Sequence, residues 1–567
     1  MERKQLLGFI AVMVVLISLA FMTKNHADRT YAEMLQEEQA SAESLKTALT
    51  VKPNKHGNVL FSLGEQLHVR VGGNYTYTLQ QQEKVEKYRA QDTILTYRVQ
   101  NKDVYVGTLT ATVRHVDRGE QLVFTEFKGA TKSIVTIPLE IVTKNEGIEA
   151  VRFDEQKVKR EHDPIFGVNK LTSLAGMFRF VGQPFELIAS QNYVSHELIR
   201  KYDNGDQSKV REFVEEVRNV RVKSKDGQAY VSMPLNGKYG ELSENWFIVS
   251  ATSLFHDDET MMTYRDHMEK FNIRSHFWLN ASGAFTKLPW SIQPGTEHGY
   301  GRNLLHQRSK MSLEALQKED SRFHYAMVIN SVNYLLDRKV EGELWQTEYT
   351  SMWLKRDYGI QAPYTDTRHN ENVSLFLTEV GDYLHDPALQ KMYFEYADYL
   401  SNQAKIGNVL ATKNGYFILD YYGKTLTKKT HVSLNHALGE MNFLLQAYNR
   451  QPNQQYMNTA IAIKQAIEDT ADAWIRKENS DFWYQINGDY SFSGLDYESL
   501  TLEDLLNTIG IYKTLGLKYD PTLYSTMIGH KVGYLQTANI KMSTHLVEAL
   551  HAQGYTFLLE QKNDTKK

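Results

Sequence analysis

"HVSLNHALGEMNFLLQAYNRQP", His431 to Pro452, reads as an amphipathic helix that stops at a proline turn, with a second apolar helix after it. The pattern recurs: Tyr383-Leu-His-Asp386-Pro387 and Leu517-Lys-Tyr-Asp520-Pro521 also sit between apolar helices, so the three prolines lie 65 and 69 residues apart. Asp at the cap with Pro at the first helical position is favourable, because the cap accepts an orphan N–H and proline has none to lose. Each unit is a helical hairpin. Tetratricopeptide-like arrays repeat at about 34 residues, and the longer period here leaves room for aromatic loops such as "GNVLATKNGYFILDYYGKTLTKKTH" and "KENSDFWYQINGDYSFSGLDYE". Hairpins set in a ring would gather such loops at one mouth. The spacing therefore predicts an (α/α) toroid over 246–555, followed by a polar tail at 556–567.

Upstream the period changes to two. "QLHVRVGGNYTYTL", "TILTYRVQ", "VYVGTLTATVRHV", "QLVFTEF" and "SIVTIPLEIVT" are rich in Val, Thr, Ile and Tyr and are punctuated by turn residues. They predict an antiparallel β-rich domain over 57–153. Residues 154–245 read as a connecting α/β region, in which "KVREFVEEVRNVRV" places Val210, Phe213, Val214 and Val217 at helical spacing.

The first residues differ from all of these. Arg3 and Lys4 precede an apolar run, Leu6 to Met22, long enough at 1.5 Å per residue to span roughly 26 Å of bilayer. Basic residues before the run keep the N-terminus in the cytoplasm. Residues 1–26 thus read as a signal anchor and 27–56 as a stalk, giving a single-pass cell-membrane protein with its bulk outside the cytoplasm. Small residues in Ser18-Leu19-Ala20 keep cleavage as a signal peptide open. The overall class is α+β multidomain: membrane anchor, antiparallel β-rich domain, helical toroid.

Composition narrows the chemistry. The 567 residues carry a formal net charge of -4, no footprint for nucleic acid, and contain no cysteine, which excludes disulfides, thiolate metal sites and thiol nucleophiles. No cofactor is expected, and no metal. His436 and Glu440 share a helix face four residues apart, but His-x3-Glu lacks the second histidine of a zinc site.

Polar, titratable first turns recur at three helix starts. In "PYTDTRHNENVSLFL", Pro363 to Leu377, Asp366 or Thr367 caps a helix whose stripe runs through Val373, Phe376 and Leu377, with His369 one turn ahead. His369, Glu371, His436, Glu440, Tyr484 and Tyr490 are the candidate acid/base groups. Asp366, Arg368, Trp483, Tyr497, Glu297 and Arg302 are the candidates for holding a substrate, the last two from "WSIQPGTEHGYGRN". Aromatic faces with polar tips suit a sugar ring.

"FWYQINGDY" followed by "LLNTIGIYKTLG" resembles the C-terminal domain of the D-glucuronyl C5-epimerases, in which an aromatic "WY...Y" loop leads into a helix of the form LN-x-L-x-G-L-Y. The resemblance covers about His431 to Leu535 and implies roles for Tyr484 and Tyr490. It implies an enzyme acting on a cell-surface or extracellular polysaccharide, in which a base removes the proton beside a uronate carboxylate and an acid returns one to the other face. A lyase begins with the same abstraction, and Arg368 or Arg302 would hold the carboxylate. A glycoside hydrolase and a non-catalytic cell-envelope scaffold or glycan-binding protein are the other readings the residues leave open.

Overall fold

The computed structural model describes residues 51–55, 58–144, 147–155, 160–270, 276–340 and 344–560. The anchor, most of the stalk and residues 561–567 of the tail lie outside the described residues. Among the described residues no helix is long and apolar enough to cross a membrane.

Strands run from Val51 to Ser250 and helices dominate from Asp258 onward. Most of these strands, with three more between Trp278 and Gly301, form a six-stranded and a thirteen-stranded antiparallel sheet. Strand Glu241–Ser250 shows how they stack, since all ten of its residues are buried. Successive side chains point to opposite faces. Phe247 and Val249 enter the core shared with Leu60, Val69, Ile141 and Val231 of the smaller sheet. Trp246 and Ile248 face the other way and join Phe323, Met327 and Val332 of the helical half. At this strand the large sheet is a middle layer, buried on both sides, and the apolar run Trp246–Val249 follows from that.

One polar tie crosses the second interface. Arg114, fully buried, donates to both oxygens of Asp92 at 2.8 and 2.7 Å and to Asn330 Oδ1 at 2.6 Å, joining two strands of the sheet to a helix. A buried guanidinium persists only where its charge and donors are matched this fully.

Strands also occupy much of the segment expected to be a mixed connection. Residues 207–217 form a strand, Gln207–Val217, not the helix read from Val210, Phe213, Val214 and Val217. Its paired neighbours, Asn192–Lys201 and Gly299–Gly301, supply the long-range hydrogen bonds. Val and Phe satisfy either period over so short a run, and pairing decides between them.

The helical half is a succession of hairpins: α1 (Lys310–Lys318) with α2 (Arg322–Arg338), α3 (Thr367–Tyr383) with α4 (Met392–Asn402), α5 (Leu434–Arg450) with α6 (Gln454–Thr470), and α7 (Leu500–Leu515) with α8 (Pro521–Thr537). Asp386 caps the short helix Pro387–Gln390 ahead of α4, and Asp520 caps α8, each accepting from two backbone N–H groups, as the Asp-Pro pattern predicts. The helices α2, α3, α5 and α7 pack in sequence order and are buried around most of their circumference; in α5 only Gln446 and the last three residues keep appreciable exposure.

Two buried histidines make the fold acid-sensitive. His276 donates from Nε2 to the His306 carbonyl, 3.0 Å away, and His324 lies in an aromatic nest of Phe255, Tyr264 and Phe323. Burial pushes both down to about 4. An unfolded imidazole binds its proton near pH 6.5, so between the two values the unfolded state holds more protons. Stability is full above about pH 6.5 and is lost as pH falls towards 4, by up to about 3 kcal/mol per histidine. Thermal melts from pH 7 to 4 should show this decline, and His276→Gln/His324→Gln should show a shallower one; equal slopes would assign the sensitivity to other groups.

Candidate active site

Two small sheets at the helix N-termini assemble the site. Strand Tyr364–Asp366 pairs with Tyr421–Tyr422, setting Asp366 opposite Tyr421, and the Thr367 N–H donates to the Asp420 carbonyl at 3.0 Å. Strand Val432–Ser433 pairs with Trp483–Ile486, which hairpins back through Phe492–Leu495. The long aromatic loops expected from the sequence are thus partly β-hairpins, and they bring the starts of α3 and α5 together with Tyr484.

Asp420 is the hub. It is fully buried and accepts from the Ser433 N–H at 2.9 and 3.1 Å and from the Ser433 hydroxyl, with His431 Nε2 3.2 Å and His436 Nδ1 3.7 Å away. Burial by itself raises the Asp420 carboxyl; the imidazoles of His436 and His431 and the Ser433 donors outweigh it and hold it below the usual range. His431 is fixed by the Tyr358 hydroxyl at 2.9 Å and ringed by Trp353, Tyr421 and Tyr484. His436 Nδ1 meets the Thr367 hydroxyl at 2.8 Å.

His369 belongs to the same group. Asp366 caps α3 by accepting from the His369 N–H at 2.9 Å, and its other oxygen lies 3.6 Å from His369 Nδ1, too far for a hydrogen bond. Burial lowers the imidazole's proton affinity, and His436 and Arg308 lower it further against the opposing charge of Asp366. The ring is neutral at neutral pH, with a lone pair free to take a proton, and its side chain retains 19% exposure. Tyr484 is held well above its ordinary range by burial, then by Tyr497 and the charge of Asp420, so its hydroxyl stays protonated. Tyr497 is half exposed, its ring edge-on to Tyr484 at 5.8 Å.

Several candidates take other roles. Arg368 is already occupied: it donates to Glu371 at 2.9 and 3.2 Å, to Asp504 at 2.9 and 3.0 Å, and to the Asn435 carbonyl at 3.3 Å. Neither Arg368 nor Glu371 is therefore presented to a ligand. Arg302 is likewise held by both oxygens of Glu348, at 2.8 and 2.6 Å. Glu440 is fully buried; burial, with Asp420 and Glu371 adding against the Thr367 hydroxyl, raises it well above the carboxylate range and keeps it neutral. Trp483 alternates to the face of its strand opposite Tyr484, where Arg476 lies 5.0 Å over its ring. Tyr490 sits at the hairpin turn, its hydroxyl donating to the Ala411 carbonyl at 2.7 Å. Glu297 is exposed on the loop after strand Ile292–Gln293.

Asp420, Tyr358 and Trp353 were not singled out by sequence. Asp420 follows an apolar strand in "YFILDYY", with no motif around it. Asp504 was missed too, although it stands on α7 at a position the helical period turns inward. A cavity of about 460 Å³ lies elsewhere, lined by Leu445, Asn449, Asn507, Gly510, Lys513 and Gln553 among others, and shares no residue with the histidine group.

No family model and no curated protein matches the chain. Among solved structures it is similar to a D-mannose isomerase, 15% identical over 51% of this chain and 73% of that one, TM-score 0.35. It is also similar to a family 76 glycoside hydrolase (mannosidase) of Bacteroides thetaiotaomicron, 13% identical over 54% and 84%, TM-score 0.36. A cellobiose 2-epimerase of Spirochaeta thermophila is 11% identical over 46% and 66%, TM-score 0.32. These likenesses assign neither family nor activity.

Gly439 of α5 is where the Arg368 cluster touches backbone: a Cβ there would collide with the Arg368 guanidinium and come within 2.5 Å of Glu371 Oε2. Gly→Ala in an open helix stabilises by about 1 kcal/mol. Here Gly439→Ala should instead lower the melting temperature, by an amount corresponding to roughly 2 kcal/mol or more, as a buried ion cluster is displaced. A melting temperature equal to or above wild type would refute the close fit.

Proposed function

We propose that the protein is a carbohydrate-acting enzyme that moves a proton on and off a sugar carbon beside a carboxylate or carbonyl, with His369 and His436 as the acid/base pair. The observation that carries this is the arrangement of two imidazoles at the starts of consecutive hairpins, each beside its own carboxylate, Asp366 and Asp420. Neutral His369 takes the proton from carbon. His436, oriented by Thr367 and facing Asp420, or the protonated Tyr484 hydroxyl returns one to the other face. Arg308, whose charge reaches His369, supplies positive potential for the developing enolate.

A uronate unit of a polysaccharide is the substrate class this reading favours, with the hairpin succession forming the wall of an (α/α) toroid and the apolar N-terminal run holding the enzyme outside the cytoplasm. Support comes from the resemblance of Phe482–Gly516 to the glucuronyl C5-epimerases. The hydrolase reading finds less. It needs two carboxyl groups facing each other across a cleft roughly 5 to 10 Å wide, whereas Glu371 and Asp504 are bound to Arg368, Glu440 is sealed, and Asp420 is fully buried.

The test is incubation with alginate, polygalacturonate or hyaluronan in deuterated water, read by NMR. Deuterium at C5 of the uronate is expected; an unsaturated end would identify a lyase, and no exchange with any polymer would sink the proposal. His369→Ala and His436→Ala should each reduce exchange at least about a hundredfold with folding intact. The acid limb of the rate profile should fall below pH 6.5, because the His369 imidazole must lose its proton to act and its affinity for one is lowered.

A further inference from the structure

Trp290 is 61% exposed, a large apolar surface left in water, and yet it is firmly held. Its backbone N–H donates to the Ile165 carbonyl and its indole Nε1–H to the Pro164 carbonyl, both at 3.1 Å. The receiving loop is itself rigid: Asp163 Oδ1 accepts from the N–H groups of Ile165 and Phe166 at 2.7 and 2.9 Å, and Asp163 and Gly167 exchange backbone hydrogen bonds. A ring that is pinned rather than rotating loses little entropy when something stacks on it.

Its position points to what would stack. Ile292 pairs with Ser351 and Gln293 with Thr350, and the Met352 N–H continues the ladder by donating to the Ser291 carbonyl at 3.0 Å. Trp290 precedes Ser291 and Trp353 follows Met352 in the first turn of the helix Met352–Tyr358, so the two tryptophans flank this one backbone hydrogen bond. The Trp353 ring lies 5.4 Å from His431 and edge-on to Tyr421 at 6.2 Å, His431 lies 5.9 Å from Tyr484, and Tyr484 lies 5.8 Å from Tyr497. Aromatic groups thus lead from the histidine site to Trp353, and the exposed, preoriented indole of Trp290 stands on the neighbouring segment, joined through the Ser291–Met352 hydrogen bond.

We propose that Trp290 is a stacking platform for a sugar unit of a glycan chain whose other units extend to the histidine site, so that the ligand is a polymer and not a free monosaccharide. The inference rests on the proposed reading only in taking the occupant of the histidine site to be a sugar. Indole faces suit the apolar side of a pyranose, and one such contact contributes up to about tenfold in affinity.

Electrophoresis through gels containing alginate, polygalacturonate, hyaluronan or mannan tests it. Wild type should be retarded by at least one polymer, Trp290→Ala should bind that polymer about tenfold more weakly, and Trp290→Phe, which keeps a ring, should lie between them, with all three melting alike. Equal retardation of Trp290→Ala and wild type, the result expected if the ring served a protein partner, would overturn the proposal, as would the absence of retardation of wild type by every polymer. The proton-transfer reading fails separately, by absence of deuterium exchange in wild type while the Trp290-dependent retardation persists.

Discussion

The guanidinium of Arg368 is the point at which three helices meet. It leaves the first turn of α3, binds Glu371 on the same helix, reaches the Asn435 carbonyl of α5, and is clamped by both oxygens of Asp504 on α7. A charge so deeply buried is tolerated only with its partners in place, so the three helices cannot slide past one another without stranding it. Gly439 gives the backbone clearance that lets the cluster lie against α5. His369 is the next residue along α3 and His436 lies three residues before Gly439, so the same constraint fixes the spacing of the two imidazoles. Burial, opposed by Arg368 and reinforced by Glu371, pushes the Asp504 carboxyl up to about 7.

A second buried cation organises the aromatic side of the site. Lys531 of α8 is fully buried and donates to Asp481 at 2.6 Å, to Asp496 at 2.7 Å and to the Tyr497 carbonyl at 2.6 Å. These partners bracket the hairpin that carries Tyr484, so the hairpin is closed at its base by one ammonium. Gly494 completes the fit, its φ of +81° and lack of Cβ leaving space beside Tyr484. The site's chemistry is therefore displayed by short strands and turns, while its geometry is set by ion clusters beneath them.

Between these clusters Asp420 distributes charge. It holds Ser433, faces two imidazoles, and lies under the ring of aromatic groups that includes Tyr421 and Tyr484. It stays ionised beside His431 and His436, while neutral His369 stands at the more exposed edge. One ionised carboxylate, two histidines near it and one histidine poised neutral make an environment that separates acid from base over a few ångströms.

The chain's own pattern determined its elements: period-two segments became strands, the Asp-Pro turns became capped helical hairpins, and Asp366 capped the helix that "TDTRHNEN" begins. Local hydrogen bonding and hydrophobic periodicity act between neighbours in sequence, so they are legible there. The identity of residues 207–217 as strand was not, because a short Val- and Phe-rich run satisfies both periods until a partner strand pairs with it. Site roles divided in the same way. His369, His436 and Tyr484 were visible as titratable residues at element starts, whereas the engagement of Arg368 with Asp504, 136 residues away, and the placement of Asp420 beside two histidines depend on charges brought together only when the hairpins pack. Coulombic and hydrogen-bond partners at such separations are chosen by tertiary structure, and they decide which charged groups are left to meet a ligand.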